Sequence, residues 1–270
     1  MLRLALVITL FALFGSHTFA QDMTVYTTVS VVGDDGQPES VGRSLTLFHA
    51  GKVYDYMEDA GELVVLDAEA GRFLIVNGNY TGTRVEFDEL NQFLKVAKTQ
   101  TEAYMAELAL KGDADRGPLT DWLKFQLDPR FEERETEKQA LKLDSPVMQY
   151  NVETSTAPEP KHVEQYLSYA DQAAQLNFVL HPGATFPAPR LALNLALRQR
   201  GVLPTSVELV SRAGNPVTLR AKHIFQWRLE SPDKQHIHQW ERMLSSKQVR
   251  WVGFHEYQQR LLADAARRAK

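Results

Sequence analysis

The chain has 270 residues, of which 44% are hydrophobic, 24% charged and 10% aromatic, the profile of an ordinary globular protein rather than a disordered or fibrous one. A net charge of −4 offers no basic face, so nucleic acid is not an expected partner. With no Cys in the chain, disulfides, thiolate metal sites, iron–sulfur clusters, a Cys nucleophile and a lipidated N-terminal cysteine are all excluded.

The N-terminus carries the most specific signal. Arg3 precedes an apolar run from Leu4 to Phe14, broken only by Thr9, and Thr18-Phe19-Ala20 supplies small residues before Gln21. This order of charge, short apolar stretch and small-residue end predicts a secretory signal peptide over residues 1–20, cleaved after Ala20. The apolar run is too short to span a bilayer, which takes about twenty such residues. No later segment is apolar enough either, so no transmembrane segment is expected after cleavage. Residues 21–270 are expected to form a single α+β domain, exported to the periplasm or the extracellular space.

From Thr24 to Phe87 the pattern is β. β-Branched residues crowd 25–32, and Asp34-Asp35-Gly36 breaks the run. Leu45, Leu47 and His49 alternate with Thr46 and Phe48, Ala50-Gly51 turns the chain, and runs at 53–57, 63–66 and 73–76 follow. Asn77-Gly78 is a favoured hairpin dipeptide because both residues tolerate positive φ. The spacing predicts an antiparallel meander of about six strands.

At Asp88 the period lengthens to 3.6. Leu90, Phe93, Leu94, Ala97, Thr101, Tyr104, Met105 and Leu108 share one face of a long helix, with Asp88 placed to cap it and Gly112 to end it. That helix is expected to pack on the sheet. A short helix around Trp122 gives way to strands carrying Leu141, Leu143, Met148, Tyr150 and Val152. Val163, Tyr166, Leu167, Ala170 and Ala174 mark a second long helix. A third runs from Arg190 to Arg200 and stops at Gly201.

Two strands come next, and the second alternates cleanly. Val217, Leu219, Ala221, His223, Phe225, Trp227 and Leu229 take one face, while Thr218, Arg220, Lys222, Gln226 and Arg228 take the other. Ser231-Pro232 opens a helix by a Ser cap with Pro in the first turn, and a last helix begins near Phe254. The expected architecture is one curved antiparallel sheet, unclosed and barrel-like, with helices packed on its concave face.

The order of meander, long helix, further strands, helix pair and final hairpin resembles the LolA-type lipoprotein-carrier fold. The strands at 53–57 and 63–66 and the helix after the meander are where the likeness is best. The resemblance implies an unclosed barrel whose concave side is plugged by helices and holds acyl chains. It rests on element order, so no residue role comes with it.

No catalytic motif stands out. Ser231-Pro232-Asp233-Lys234 fits an S-x-x-K pattern, but its K-T-G companion is missing and a helix cap explains it. His236 and His238, two apart on a helix, point away from each other and toward solvent. Asp113 and Asp115 lack the Gly position and distal Glu of a calcium loop. His223 is the one oddly placed residue, an imidazole on an apolar strand face where it needs a partner. It is either a hydrogen-bonded core histidine or a polar group on the wall of an internal cavity, with Phe225 and Trp227 as apolar lining. The expected function is that of an exported, non-enzymatic protein binding or carrying an apolar ligand or a lipidated partner in the cell envelope. No cofactor, metal site or catalytic residue is assigned. Two other functions stay open, an exported enzyme with dispersed active-site residues and an envelope interaction protein without a cavity. An apolar cavity favours the first, a His and carboxylates within hydrogen-bond reach the second, and a filled concave face the third.

Overall fold

A computed structural model describes residues 22–33, 36–110, 117–135, 139–181, 183–213 and 216–268. The expected signal peptide, Gly112, Asp113 and Asp115 lie outside them. In chain order the elements are β1 Met23–Val32, β2 Pro38–His49, β3 Lys52–Met57, β4 Glu62–Asp67, β5 Arg72–Val76, β6 Thr81–Glu86, α1 Phe87–Leu110 and α2 Gly117–Leu127. Then come β7 Glu132–Glu135, β8 Ala140–Asp144, β9 Met148–Thr156, α3 Pro160–Leu180, α4 Ala188–Arg200, β10 Val202–Ser211, β11 Val217–Gln226, α5 Ser231–Leu244, β12 Arg250–Trp251 and α6 Phe254–Arg268.

The strands form one open, curved sheet in the order β12-β6-β5-β4-β3-β2-β1-β11-β10-β9-β8-β7. Every pairing is antiparallel except β12 on β6. The meander β1–β6 makes one half of the sheet and β7–β11 the other. They join where β1 pairs with β11, from Thr24↔Gln226 to Val32↔Thr218. A late strand, β11, thus returns to the strand with which the fold begins, and the sheet centre holds β3, β2, β1 and β11.

Local chemistry explains the connections. Ala50 and Gly51 both have positive φ, at 48° and 78°, as a two-residue turn between β2 and β3 requires. At Asn77-Gly78 the expected turn is replaced by another. The Asn77 side-chain oxygen accepts the N–H groups of Asn79 and Thr81 at 3.1 Å each, and the positive φ falls on Tyr80, at 55°. An Asn side chain bonded to the following backbone competes with the simpler hairpin. Helix α4 ends as predicted, with Gly201 left-handed at φ 65°. Helix α5 is capped by Glu230 rather than Ser231. The Glu230 side chain accepts the N–H of Asp233, whose carboxylate accepts the N–H of Glu230, the reciprocal pair of a capping box. At Gly82 a Cβ would lie 2.9 Å from Val249 and 3.0 Å from the Trp251 ring, so the bare backbone lets β12 lie against β6.

The two sheet faces differ. On the inner face, side chains from all of the long strands meet α1, α2, α3, α4 and α6 in one apolar core that includes Met23, Phe48, Phe73, Leu141, Leu167 and Leu193. On the outer face Leu45, Leu47, Tyr54, Leu63 and Val65 pack against Ile237 and Trp240 of α5. The helices therefore do not all lie on the concave side. The run Leu63-Val64-Val65-Leu66 is apolar on both faces because β4 is covered on both. Beyond α5 the outer face is solvated, with Glu208 held by Arg220 at 2.6 Å and by Asn151 at 3.0 Å.

Helix α1 also departs from expectation. It is continuous, but only Leu90 and Leu108 are buried. Leu94 and Met105 are half-buried, and Tyr104 is 43% exposed. The helix leans against α2, α3 and β6 instead of crossing the sheet, so much of its apolar stripe covers neighbouring helix edges. Among the described residues no helix is long and apolar enough to cross a membrane.

Candidate functional site

A cavity of about 680 Å³ separates the centre of the sheet from α3 and α4. It exists because α3 turns small side chains toward the sheet. Ala170, Ala173, Ala174 and Asn177, spaced at i, i+3, i+4 and i+7, line it from above, where a core helix would carry Leu. The chain between the helices, from Gly183 to Pro187, forms its rim. That rim is held by the Phe186 N–H donating to the buried Gln126 side chain at 2.9 Å and by the Phe178 and Phe186 rings stacked 4.3 Å apart.

The floor is divided. Toward β9 and β10 it is apolar, with Met148, Tyr150, Val207, Leu209 and, from β11, Leu219 and Ala221. Toward β3 it carries a polar stripe across four adjacent strands: Asp55 on β3, Ser44 and Thr46 on β2, Thr27 on β1 and His223 on β11. The register makes the stripe, since Thr46 lies opposite Asp55 and Thr27 lies between Ser44 and His223. These residues all sit at inward-facing positions, where the alternation otherwise places apolar side chains.

Asp55 receives the Tyr169 hydroxyl at 2.6 Å and the Thr46 hydroxyl at 2.9 Å, one on each carboxylate oxygen. Burial pushes its carboxyl above the usual range, and the hydroxyls of Tyr169, Thr46 and Ser44 pull it partly back. Burial and the adjoining Asp55 raise the Tyr169 phenol well above its ordinary value. Tyr166 is raised by burial, against the opposing pull of Arg190. Both phenols are therefore neutral donors at any physiological pH.

His223 is among the residues that line the cavity. Its Nδ1 lies 2.9 Å from the Thr27 hydroxyl, while Nε2 is shielded from solvent and has no hydrogen-bond partner. Burial, reinforced by the Arg190 charge, pushes its pKa down to about 3. Phe225 and Trp227 do not join it as lining. Phe225 lies 5.1 Å from Tyr166 in an edge-to-face pair. Trp227 stacks on Phe225 at 5.7 Å and lies 4.9 Å from His162. They share the inward face with His223, but the aromatic residues at the start of α3 occupy the space above them. His236 and His238 are exposed on α5, as their spacing predicts.

The neutral imidazole gives a pH signature. The unfolded chain takes up the proton near pH 6.5 and the folded chain only near 3, so the stability tied to His223 is complete above 6.5 and is lost as pH falls between those values. Relative to His223→Gln, wild-type stability should drop by up to about 1.4 kcal/mol per pH unit from pH 6.5 to 4. Asp55 and Glu62, whose carboxyls are raised by burial, act with the opposite sign but are common to both proteins and cancel. Urea unfolding at several pH values measures the difference. A flat difference curve would show the imidazole to be solvated.

Among the described residues no group of three or more His, Asp or Glu side chains converges as a metal site. His223 and Asp55 are each committed to hydroxyl partners rather than to one another. No protein-family model matches the chain, and no curated protein matches it.

Proposed function

We propose that the protein is an exported, non-enzymatic carrier that holds an apolar or lipid-like ligand between its sheet and helices α3 and α4. The cavity carries this reading. Its volume of about 680 Å³ falls within the range of small-molecule sites, and most of its wall is apolar, with a few hydroxyl, carboxyl and imidazole groups gathered on one side. The N-terminal pattern of residues 1–20 supports export, and the open curved sheet with helices over its inner face supports the likeness to lipoprotein carriers. The expected location is the cell envelope.

The test is a fluorescence titration with N-phenyl-1-naphthylamine, a neutral apolar probe that brightens when removed from water. Saturable binding at one site per chain is expected. Absence of saturable binding by the purified protein would overturn the carrier reading.

A second reading draws on Asp55, a buried acid on a cavity wall, which is where catalytic carboxyls are found. Under the carrier reading Asp55 orders the Tyr169 and Thr46 hydroxyls, and Asp55→Asn leaves probe affinity within about twofold, a difference of less than 1 kcal/mol.

A further inference from the structure

Arg190 stands in the cavity wall without a counter-ion. Its Nε donates to the Asn194 side chain at 3.1 Å, and its guanidinium lies beside the Tyr166 hydroxyl. The nearest acid in that network, Asp171, accepts from Asn194 at 2.7 Å and is paired with Arg198 at 2.9 Å. Among the described residues no carboxylate pairs with Arg190.

Its place in the helix sharpens the point. Arg190 is the third residue of α4, whose first turn holds no acidic residue and whose Pro187 cap provides no side-chain acceptor. The positive end of a helix dipole disfavours a cation and favours an anion. Close by, His223 faces the same cavity with a shielded Nε2 that has no partner. A cation, an uncapped helix start and a phenol donor thus surround one part of the cavity beside an unpartnered imidazole nitrogen, and among the described residues no carboxylate pairs with the guanidinium to supply the negative charge that it and the helix start favour. Asp55 does not. It sits on β3, three strands from β11, with its oxygens already engaged by the Thr46 and Tyr169 hydroxyls, and its charge reaches the Tyr166 phenol without pairing with Arg190.

We infer that the ligand is an anionic amphiphile with a single negative head group, held by Arg190 and Tyr166 beside His223, with its hydrocarbon chain lying over Met148, Val207 and Leu209. This rests on the carrier reading and names its ligand class. A charge-assisted contact to a guanidinium is roughly twice as strong as a neutral hydrogen bond, and Arg suits a planar carboxylate in particular.

The experiment is displacement of N-phenyl-1-naphthylamine by laurate and by methyl laurate, which differ in the head-group charge. Laurate is expected to bind at least about tenfold more tightly than the ester. In Arg190→Gln that preference should fall below about twofold because laurate loses far more affinity than the ester does, and Arg190→Lys, which keeps the charge, should retain part of it. Equal binding of acid and ester by the wild type, or a preference surviving in Arg190→Gln, overturns the assignment. Competition by inorganic phosphate alone overturns it as well, by showing a site for free small anions. If the probe itself does not bind, the carrier reading fails. If it binds without acid preference, only the head-group assignment fails.

Discussion

Replacing Ala173 with Trp should raise the dissociation constant for N-phenyl-1-naphthylamine at least about tenfold, a loss of about 1.4 kcal/mol or more of binding free energy. Ala173 projects from the middle of α3 into the cavity, flanked by Ala170 and Ala174. An indole there occupies the space over the apolar floor and meets Val207 and Leu209 from above. Overpacking a filled core costs about 1–3 kcal/mol, but here the new side chain enters a void, so its apolar area is buried with little strain. The melting temperature should stay within about 5 °C of the wild type, given that 1 kcal/mol shifts a domain of this size by about 2–4 °C. Unchanged probe affinity in a folded variant would place the binding site elsewhere.

Phe48→Ala should have the largest effect on stability, about 3–5 kcal/mol by chemical denaturation. Phe48 is fully buried on the inner face of β2 and meets the Tyr169 ring edge-on at 5.7 Å. Removing it leaves an apolar void and withdraws the support that aims the Tyr169 hydroxyl at Asp55. Two costs combine, the loss of a packed aromatic ring and a looser donor on a buried carboxylate, which demands full hydrogen bonding. A cost below about 1 kcal/mol would mean that the core beside the cavity collapses to fill the space.

Much of the fold is legible in the sequence, because strand alternation, turn residues and helix stops act locally. The strand at β11 as far as Gln226 and the end of α4 at Gly201 appear where the residues place them, whereas Leu229, expected to share the inward face, packs on the outer face with Ile237 and Trp240 of α5. Helix α5 is foreseen, but its place on the outer face is not. Its partners Leu45, Leu47 and Tyr54 are contributed by the meander some 190 positions earlier, and the dense apolar runs of β4 record double coverage only once the topology is known. The extent of packing on α1 is misjudged for a related reason. A 3.6 period identifies an apolar stripe, but not whether a sheet or only the edges of other helices will cover it.

For the site, His223 signals itself as a polar residue amid apolar neighbours. The same break in alternation at Thr27, Ser44, Thr46 and Asp55 carries equal information, yet these residues lie on three different strands and become one stripe only through register. The second signal is the alanine spacing on α3, which reads as core until the sheet proves too far away for alanine to fill the gap. Arg190 gives no signal in the sequence, where it is one of many surface-like charges. Its meaning depends on the α4 start facing inward.

The carrier reading requires the space beneath α3 and α4 to hold an apolar ligand. Native mass spectrometry of the protein, purified without detergent from the cells that express it, is the decisive measurement. A species heavier than the bare polypeptide by one lipid-sized adduct is expected, released by organic solvent and missing from Ala173→Trp. A spectrum showing only the bare polypeptide, unchanged after incubation with laurate, would contradict it.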